Sequence, residues 1–376
     1  MSDLAALLRC PRCEVALELE RSMPEAGYPE LGPDGVLRCA RCASRYPLIA
    51  GTVRILGTAM QERLIADYPR SRAVLEACLG PGRGSGPDHD QEVKRRTADS
   101  FAYEWQHFGQ PRPEWRRNFL DYMRPHRAES FAGKLVLDVG AGSGRHSREA
   151  VALGARVVAV DIGRAIDVAR SNLPPEVLTV QADAEQLPLA RGEFDFVCSL
   201  GVLHHLPVPR RALRALVPYA RPGGHVHVYL YWVPARLWHR LVLAGVGAAR
   251  RVTWRMPHGL LHALCYPLAA GLLATIVAPY RALRHRPRGR RLAATLPLKA
   301  YADYPFGVLV NDQFDRFSAP LERRFTQDQV RSLVRDAGLT DVVVLPNHGW
   351  VADARRPASQ ARRRSTTPDC AGTPRA

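Results

Sequence analysis

The residues most able to do chemistry begin with a glycine-rich run. Residues 135–144 read LVLDVGAGSG, so that an apolar stretch leads into Gly140, Gly142 and Gly144. A glycine lets the backbone pass close to a bound molecule, because no side chain intervenes. A helical pattern follows from Arg145. This order of strand, turn and helix predicts a loop that cradles a nucleotide-like cofactor.

Two carboxylates lie near this loop in the sequence. Asp138 precedes Gly140 by two positions, which suits a contact with the amino acid end of a cofactor. Asp161 ends the next apolar run, RVVAVD, and is followed by Ile162. A carboxylate at the end of such a strand can accept hydrogen bonds from both ribose hydroxyl groups. Asp161 and Ile162 therefore indicate a nucleoside cofactor, although NAD would satisfy the same geometry.

Further candidates follow the next two strands. Asp183 comes after the apolar run 177–182, where its carboxylate can accept a hydrogen bond from an adenine amino group. The backbone of Ala184 lies beside the same position. Leu200 ends the next run, FDFVCSL, so we expect it at the same edge of a parallel sheet.

His204 and His205 follow Leu200 in the sequence GVLHHL. They are expected where a transferred group would lie, so one of them is a candidate general base. The alternative, which the sequence favours, is that both imidazoles bond to backbone groups and shape the loop.

The spacing of the glycines distinguishes between two cofactors. The loop has the pattern G-x-G-x-G, and Arg145 stands where a G-x-G-x-x-G dinucleotide loop would place its third glycine. This pattern favours S-adenosylmethionine over NAD.

Residues 134–231 resemble the class I S-adenosylmethionine-dependent methyltransferases, in the group that includes ubiquinone and menaquinone methyltransferases. The motifs LDVGAGSG, VVAVD, ADAEQLP, FDFVCSLGVLHHL and RPGG occur in the order and spacing of that group. The resemblance implies an α/β fold with a doubly wound, Rossmann-like sheet of seven strands, the last of them antiparallel. It also implies cofactor contacts at Asp138, Gly140, Gly142, Asp161, Asp183 and around Leu200.

The segment 101–108, FAYEWQHF, resembles the aromatic helix that often covers the cofactor in such enzymes. Tyr103 and Trp105 are the candidate contacts on this helix. Both would be equally ordinary as core aromatic residues.

Four cysteines occur as two C-x-x-C pairs, Cys10 with Cys13 and Cys39 with Cys42. Four thiolates at this spacing are the usual tetrahedral set for structural zinc, and paired motifs favour a metal over disulfides in a reducing compartment. A closed shell of four cysteines leaves no open coordination position, so we expect Zn²⁺ to support folding. The segment resembles the zinc ribbons that are fused to, or partnered with, methyltransferases.

The positive charge of the chain is concentrated in one region. The formal net charge is +17, and no Asp or Glu occurs between Asp195 and Asp303 in an arginine-rich stretch. Such a local basic field suits an anionic partner, which could be a membrane surface, RNA or an acidic substrate. The alternative is an arginine-rich but merely solvated surface.

Residues 232–302 interrupt the alternation of strands and helices with an apolar, arginine-rich segment that is expected to be helical. Residues 256–280 carry no formal charge and are long enough to span a bilayer. A single span is excluded, because the strands before and after it must join one sheet on one side of a membrane. Three interpretations remain: an apolar lid over the active site, a patch held at an anionic membrane surface, or a helical subdomain with its own core.

The sequence predicts six consecutive regions. They are a zinc ribbon (1–57), a helix and flexible linker (58–99), the methyltransferase core (100–231), the helical insertion (232–302), the end of the core (303–353) and a disordered tail (354–376). A capping box at Thr326 and Gln329 begins a helix in the last core region. Residues 1–9 lack the apolar run of a signal peptide, so a cytoplasmic location is expected.

Together these patterns predict a methyltransferase that acts on an apolar or membrane-associated small molecule. The alternatives are an rRNA or tRNA methyltransferase that uses the zinc ribbon and the basic surface, and an NAD-dependent oxidoreductase. The fourth strand is not followed by an Asn/Asp-Pro-Pro-Tyr sequence, which argues against methylation of exocyclic amino groups of adenine or cytosine.

Overall fold

The computed structural model describes residues 3–23, 27–79, 89–286 and 299–358. The strands are β1 (Leu17–Met23), β2 (Asp34–Cys39), β3 (Arg45–Ile49), β4 (Thr52–Ile55), β5 (Leu135–Val139), β6 (Arg156–Asp161), β7 (Leu178–Ala182), β8 (Phe194–Leu200), β9 (Ala220–Leu230), β10 (Thr340–Pro346) and β11 (Trp350–Arg355). The α-helices are α1 (Thr58–Asp67), α2 (Arg72–Cys78), α3 (His89–Phe108), α4 (Trp115–Tyr122), α5 (Arg145–Ala152), α6 (Ala165–Asn172), α7 (Pro209–Leu216), α8 (Leu237–Thr253), α9 (His258–Leu272), α10 (Ala278–Leu283), α11 (Phe306–Ser318) and α12 (Gln327–Asp336). The predicted flexible linker at 80–87 and the chain from residue 359 onward lie outside the described residues.

All of these strands form one sheet, in the order β1-β2-β3-β4-β7-β6-β5-β8-β9-β11-β10. Seven neighbouring strands of this sheet match the number that the family resemblance implied, namely β7, β6, β5, β8, β9, β11 and β10. Neighbouring strands from β7 to β9 are parallel, and β11 runs antiparallel to both β9 and β10. The prediction of this core is confirmed, but the described sheet has eleven strands because four ribbon strands extend it.

The central strands are apolar on both faces because helices cover both faces of the sheet. In β5, Val136 packs into one core cluster, whereas Leu137 packs into the other. In β6, Val157 and Val158 repeat this alternation. Continuous apolar runs are typical of parallel strands that are buried on both sides, and here they produce the doubly wound arrangement.

The zinc-ribbon segment is joined directly to the catalytic core. β4 pairs in parallel with β7, and the hydroxyl groups of Thr52 and Thr179 share a hydrogen bond of 2.9 Å. The buried Arg54 guanidinium donates to Gln181 Oε1 at 2.7 Å and to Asp167 Oδ1 at 2.8 Å. An arginine buried at such a place depends on these partners, because loss of one leaves an uncompensated charge. The ribbon is therefore an extension of the sheet.

The insertion is helical over its described part, as predicted. α9 continues through residues 273–277 into α10, and α11 packs against α9. Their shared core contains Leu261, Cys265, Val277 and Phe314. The insertion thus shares its core with α11, which the sequence had assigned to the end of the methyltransferase core at 303–353. The third interpretation therefore holds only with α11 included, and a lid or a membrane patch remains compatible with it.

The outer surface of the insertion is unusually apolar. On α8, Leu237, Leu241 and Val252 are 70%, 65% and 68% exposed. The helix His258–Leu283 is long and apolar enough to cross a membrane, and 22% of its apolar window is buried within the structure. Because β9 before the insertion pairs with β11 after it, a single crossing would separate two neighbouring strands. Topology therefore excludes that crossing.

The last strand is longer than predicted. β11 continues to Arg355, so residues 354 and 355 belong to the sheet and not to a disordered tail. Ala354 and Arg355 pair with Val226 and His225 of β9, and Ala354 is fully buried. The hydrogen bonds to β9 and this buried alanine explain why the strand continues.

Three histidines surround the carboxylate of Asp353 on β11. Nδ1 of His225 and Nδ1 of His227 lie 3.0 and 3.2 Å from its oxygen atoms, and Nε2 of His126 lies 2.9 Å away. Burial raises the pKa of Asp353, but hydrogen bonds from the histidines outweigh burial and hold that pKa well below its usual range. Asp353 therefore stays ionised and stabilises the pairing of β9 with β11.

Asp353→Asn should lower the free energy of unfolding by about 3 kcal/mol at pH 7, because it removes the charged partner of buried imidazoles. The depressed pKa of Asp353 makes its contribution present above the pKa of an unfolded aspartate, about 4, and progressively lost below it. Urea unfolding at pH 7 and pH 3 should therefore show a smaller difference between wild type and variant at pH 3. Asp341→Asn, on the exposed part of β10, is the control. A difference that is constant or grows at pH 3 would contradict this account.

Candidate functional site

The loop after β5 needs glycine for two reasons. Gly140, Gly142 and Gly144 have φ angles of +82°, +56° and +76°, a region that glycine enters without steric cost. A Cβ at Gly140 would lie 2.2 Å from Val202 Cγ2, and one at Gly142 would lie 2.7 Å from Trp105 Nε1. Glycine is thus required where the loop packs against Val202 and Trp105, at the edge of the sheet where a cofactor was predicted.

Asp161, at the C-terminal end of β6, holds this loop in place. Its Oδ2 accepts a hydrogen bond from the Gly142 N–H at 3.0 Å, and its Oδ1 accepts one from the Gly163 N–H at 2.8 Å. Burial raises the pKa of Asp161, and these backbone hydrogen bonds offset that effect only in part. Asp161 and Ile162 line the cavity above the sheet.

Asp138 is buried beneath the loop and is not among the described residues that line the cavity. Its Oδ2 accepts a hydrogen bond from Ser147 Oγ at 2.6 Å. Burial raises the pKa of Asp138 to about 6, although the bond from Ser147 lowers it. The side chain therefore supports α5 from below, and its influence on a cofactor would pass through the loop.

Asp183 and Ala184 line the cavity beyond the end of β7. Asp183 Oδ2 accepts a hydrogen bond from Lys94 Nζ at 2.7 Å, and Glu185 Oε2 lies 3.2 Å from the same nitrogen. Lys94 belongs to α3 and is 7% exposed. Sequence reasoning missed Lys94, because a lysine in a charged helix belongs to no motif. The ion pair fixes the carboxylate that was predicted to face an adenine amino group.

Trp105, and not Tyr103, is the residue of α3 that covers the glycine loop. Its indole packs on Gly142, and the Arg145 guanidinium lies 5.2 Å from the ring centroid. The Tyr103 hydroxyl instead lies 3.2 Å from His262 Nδ1 in the insertion. Residues two positions apart on a helix point in different directions, so only one of the two can face the loop. Trp105 therefore replaces Tyr103 as the candidate contact.

His204 and His205 lie in different environments. His204 is fully buried, and neither ring nitrogen has a hydrogen-bond partner within the described residues. Burial lowers the pKa of His204 well below its usual range. His205 lines the cavity, and its Nδ1 lies 2.7 Å from the carbonyl oxygen of Leu321. Since Nδ1–H donates to that carbonyl, Nε2 of the neutral ring is an acceptor, and His205 is the better candidate base.

One cavity of about 1190 Å³ joins the glycine loop to the insertion. Its lower part is lined by the loop and the strand ends, including Leu200. Its upper part is lined by apolar side chains of the helices above, namely Val242, Leu243, Val246, Leu268, Leu272, Ile276 and Val308. The volume exceeds that of a pocket for one small ligand, so a cofactor and a second molecule have room together.

The four cysteines of the two C-x-x-C pairs converge at one end of the sheet. Their Sγ atoms all lie within 4.8 Å of one another, and those of Cys10 and Cys42 are 3.7 Å apart. Thiolates bound to zinc at about 2.3 Å form a tetrahedron with edges of about 3.8 Å, so these residues fit Zn²⁺. Each pair lies in a turn of the same kind. Glu14 N–H donates to the Cys10 carbonyl in the first turn, and Ala43 N–H donates to the Cys39 carbonyl in the second.

The order of the strands and the glycine loop at their C-terminal ends define an α/β domain of the Rossmann-like, nucleotide-binding class. Residues 137–228, which run from β5 into β9, match the family described as "Methyltransferase domain". The segment that carries the predicted motifs is therefore similar to methyltransferase domains.

Named relatives share this core. The chain is 38% identical over 114 residues to the ubiquinone biosynthesis O-methyltransferase of Nitrosococcus oceani. The aligned region covers 28% of this chain and 47% of that protein. The chain is 32% identical over 118 residues to the enzyme of the same name from Acinetobacter baylyi, covering 30% and 48%. The chain thus spans about half the length of the curated relatives it matches. The structure of Haemonchus contortus phosphoethanolamine N-methyltransferase 2 with S-adenosyl-L-methionine aligns with a TM-score of 0.42 at 15% identity, covering 73% of this chain and 62% of that one.

Gly142→Ala should weaken the binding of S-adenosylhomocysteine at least about tenfold, because a Cβ would meet Trp105 and the positive φ disfavours alanine. Isothermal titration calorimetry gives the dissociation constant. Gly223→Ala is a matched control, since its φ is also positive, at +74°, but its Cβ would meet open space. Unchanged affinity in Gly142→Ala would contradict the assignment of this loop as a cofactor cradle.

The double variant Cys39→Ser and Cys42→Ser should lose its zinc and lower the unfolding temperature of the whole described core, because the ribbon strands belong to the same sheet. Zinc content and calorimetric unfolding measure the two effects. Cys78→Ser removes a thiol outside the cluster and should leave the zinc in place. A separate early transition, with the main transition unchanged, would contradict the coupling of ribbon and core.

Proposed function

We propose that this chain is an S-adenosylmethionine-dependent methyltransferase that acts on an apolar, membrane-associated small molecule. The observation that supports this proposal best is the single cavity that connects the glycine loop to the apolar helices. A cofactor on the loop and an apolar acceptor between the helices would meet there without intervening water.

The lower half of the cavity suits the cofactor. The loop at Gly140 and Gly142 lines the cavity where the methionine part would lie, Asp161 suits the ribose hydroxyl groups, and Asp183 with Ala184 suits the adenine. Bound there, S-adenosylmethionine would supply an electrophilic methyl group on a sulfonium. The names of the relatives, as ubiquinone biosynthesis O-methyltransferases, support the same chemistry.

The protein's own part in such a transfer is mainly orientation. An in-line displacement gains most when both reactants are held in an attack geometry and water is excluded. The loop and Trp105 would hold one reactant, and the walls of α8 and α9 would hold the apolar part of the other. His205, whose Nε2 is free to accept a hydrogen bond, is available to position or deprotonate the acceptor.

The outer surface of α8 and α9 supports peripheral attachment to a membrane. It exposes Leu237, Leu241, Leu260 and Leu264, and arginines such as Arg236 and Arg240 lie in the same segment. Apolar side chains that insert between lipids, together with basic residues that face anionic headgroups, are the two contributions that hold a protein at a membrane surface. An enzyme held there could take an apolar acceptor directly from the lipid.

The activity is tested by the transfer of labelled methyl groups from S-adenosylmethionine into separated lipid, RNA and small-metabolite fractions. We expect label in the lipid fraction with the wild type and little with Asp161→Ala, because the variant lacks the ribose contact. Label in RNA instead would favour an RNA methyltransferase that uses the basic surface and the ribbon. If no fraction is labelled and S-adenosylhomocysteine does not bind, the proposed function is wrong.

Membrane attachment is tested with the double variant Leu241→Asp and Leu264→Asp in flotation with vesicles of phosphatidylglycerol and phosphatidylcholine. The bound fraction should fall at least about tenfold, because two charges replace apolar contacts with lipid. Leu19→Asp replaces an exposed leucine on β1, away from the insertion, and is the matched control. Binding of the wild type should weaken as salt rises, since salt screens the arginines. Equal flotation of variant and control would contradict this attachment.

A further inference from the structure

Two carboxyl groups of the cavity wall take no part in the proposed cofactor contacts. Glu104 on α3 is 3% exposed, and both Glu104 and Asp315 of α11 line the cavity. Glu104 Oε2, Asp315 Oδ1 and Asn311 Oδ1 are buried without a hydrogen-bond partner in the described part of the chain. Buried polar atoms are nearly always paired. The side chain of Asn311 is a hydrogen-bond partner of Glu104. The two unpaired carboxyl oxygens, Glu104 Oε2 and Asp315 Oδ1, therefore point to a ligand that donates a hydrogen bond.

Several charged residues near Glu104 and Asp315 already have other partners. Arg250 and Arg324 each lie 2.7 Å from an oxygen of Glu322, and Asp312 accepts a hydrogen bond from the Tyr301 hydroxyl. The titratable and charged groups that face the pair from the surrounding elements are Arg145, His205, Tyr231, Arg250, Asp312, Arg316 and Glu322. Within the described residues, neither Glu104 nor Asp315 forms an ion pair.

The surroundings of Glu104 and Asp315 also raise the pKa of both carboxyl groups. Burial raises the pKa of Glu104 well above its usual range, and the nearby charge of Asp315 raises it further. The pKa of Asp315 is raised as well, first by burial. Repulsion between two nearby carboxylates disfavours the charged form of each and so raises the affinity of the pair for a proton. A carboxylate with a raised pKa is a better proton acceptor near neutral pH.

We propose that Glu104 and Asp315 bind a hydroxyl group of the methyl acceptor and accept its proton. This inference rests on the proposed function. The hydroxyl oxygen forms its bond to the methyl carbon as the bond from that carbon to sulfur breaks, and the electron pair of the broken bond stays on the sulfur. The hydroxyl proton moves to the carboxyl pair. The sulfonium thus becomes a neutral thioether while the pair gains one proton, so charge is conserved.

Recognition is tested with two probes that differ by one donor, 4-dodecylphenol and its methyl ether, 4-dodecylanisole. Calorimetry in the presence of S-adenosylhomocysteine should show that the wild type binds the phenol about tenfold more tightly. Glu104→Leu should abolish this preference, because it removes the acceptor atoms, whereas the surface control Glu193→Gln should keep it. Equal affinity of the wild type for the two probes would overturn the inference.

Proton transfer is tested by the rate of methyl transfer to 4-dodecylphenol as a function of pH. The wild-type rate should fall as the pH drops through the raised pKa of the pair, because the pair must be deprotonated to act. Glu104→Gln and Asp315→Asn keep a hydrogen-bond acceptor but not the base, so each should lower kcat at least about tenfold with a small change in KM. Thermal unfolding verifies that each variant is folded.

Three results would overturn the proposed proton transfer. One is binding of the phenol without transfer, and another is an unchanged pH profile in both amide variants. The third is loss of the pH dependence in His205→Gln alone, which would assign the base to that histidine. Failure of the wild type to bind S-adenosylhomocysteine would instead remove the proposed function, and this inference with it.

Discussion

The hydrogen bonds between the glycine loop and the end of β6 are the constraint on which the site depends. The N–H groups of Gly140 and Ala141 donate to the Val160 carbonyl at 2.7 and 2.9 Å, and Gly142 N–H donates to Asp161 at 3.0 Å. These bonds bring the glycine loop against the half-buried carboxylate of Asp161 at the edge of the sheet. The position of Trp105 and the start of α5 both follow from this one arrangement.

The same sheet connects the zinc ribbon to that edge. Arg54 of β4 donates to the Oε1 of Gln181, and the Nε2 of Gln181 donates to the carbonyl of Ile162 at 3.1 Å. Ile162 is the neighbour of Asp161, so a continuous line of hydrogen bonds runs from a ribbon strand to the cavity. The ribbon therefore stabilises the side of the sheet on which the nucleoside part of a cofactor would rest. Folding of the ribbon around zinc and the shape of the site depend on common contacts.

The strands and the glycine loop could be predicted from the sequence. Contacts between segments that are distant in the sequence could not. β5 and β8 have the predicted ends, because their apolar runs are bounded by glycine-rich turns. The pairing of β4 with β7 could not be predicted, because the four residues of β4 would pair equally well with many strands. Lys94, Glu104 and Asp315 were missed for a related reason: each is an ordinary charged residue of a helix, and only tertiary packing buries it at the cavity. Tyr103 and Trp105 have the same chemical character, and helix rotation alone decides which of them faces the loop.

The central claim is that an adenosyl cofactor binds between this loop and Asp161. Its most direct test is calorimetric titration of S-adenosylhomocysteine and of NAD into the wild type and Asp161→Ala, with zinc bound in both. The account predicts saturable binding of S-adenosylhomocysteine to the wild type, none of NAD, and an affinity at least about tenfold weaker in the variant. Absence of saturable binding to the wild type, or equal affinity in the two proteins, would contradict it.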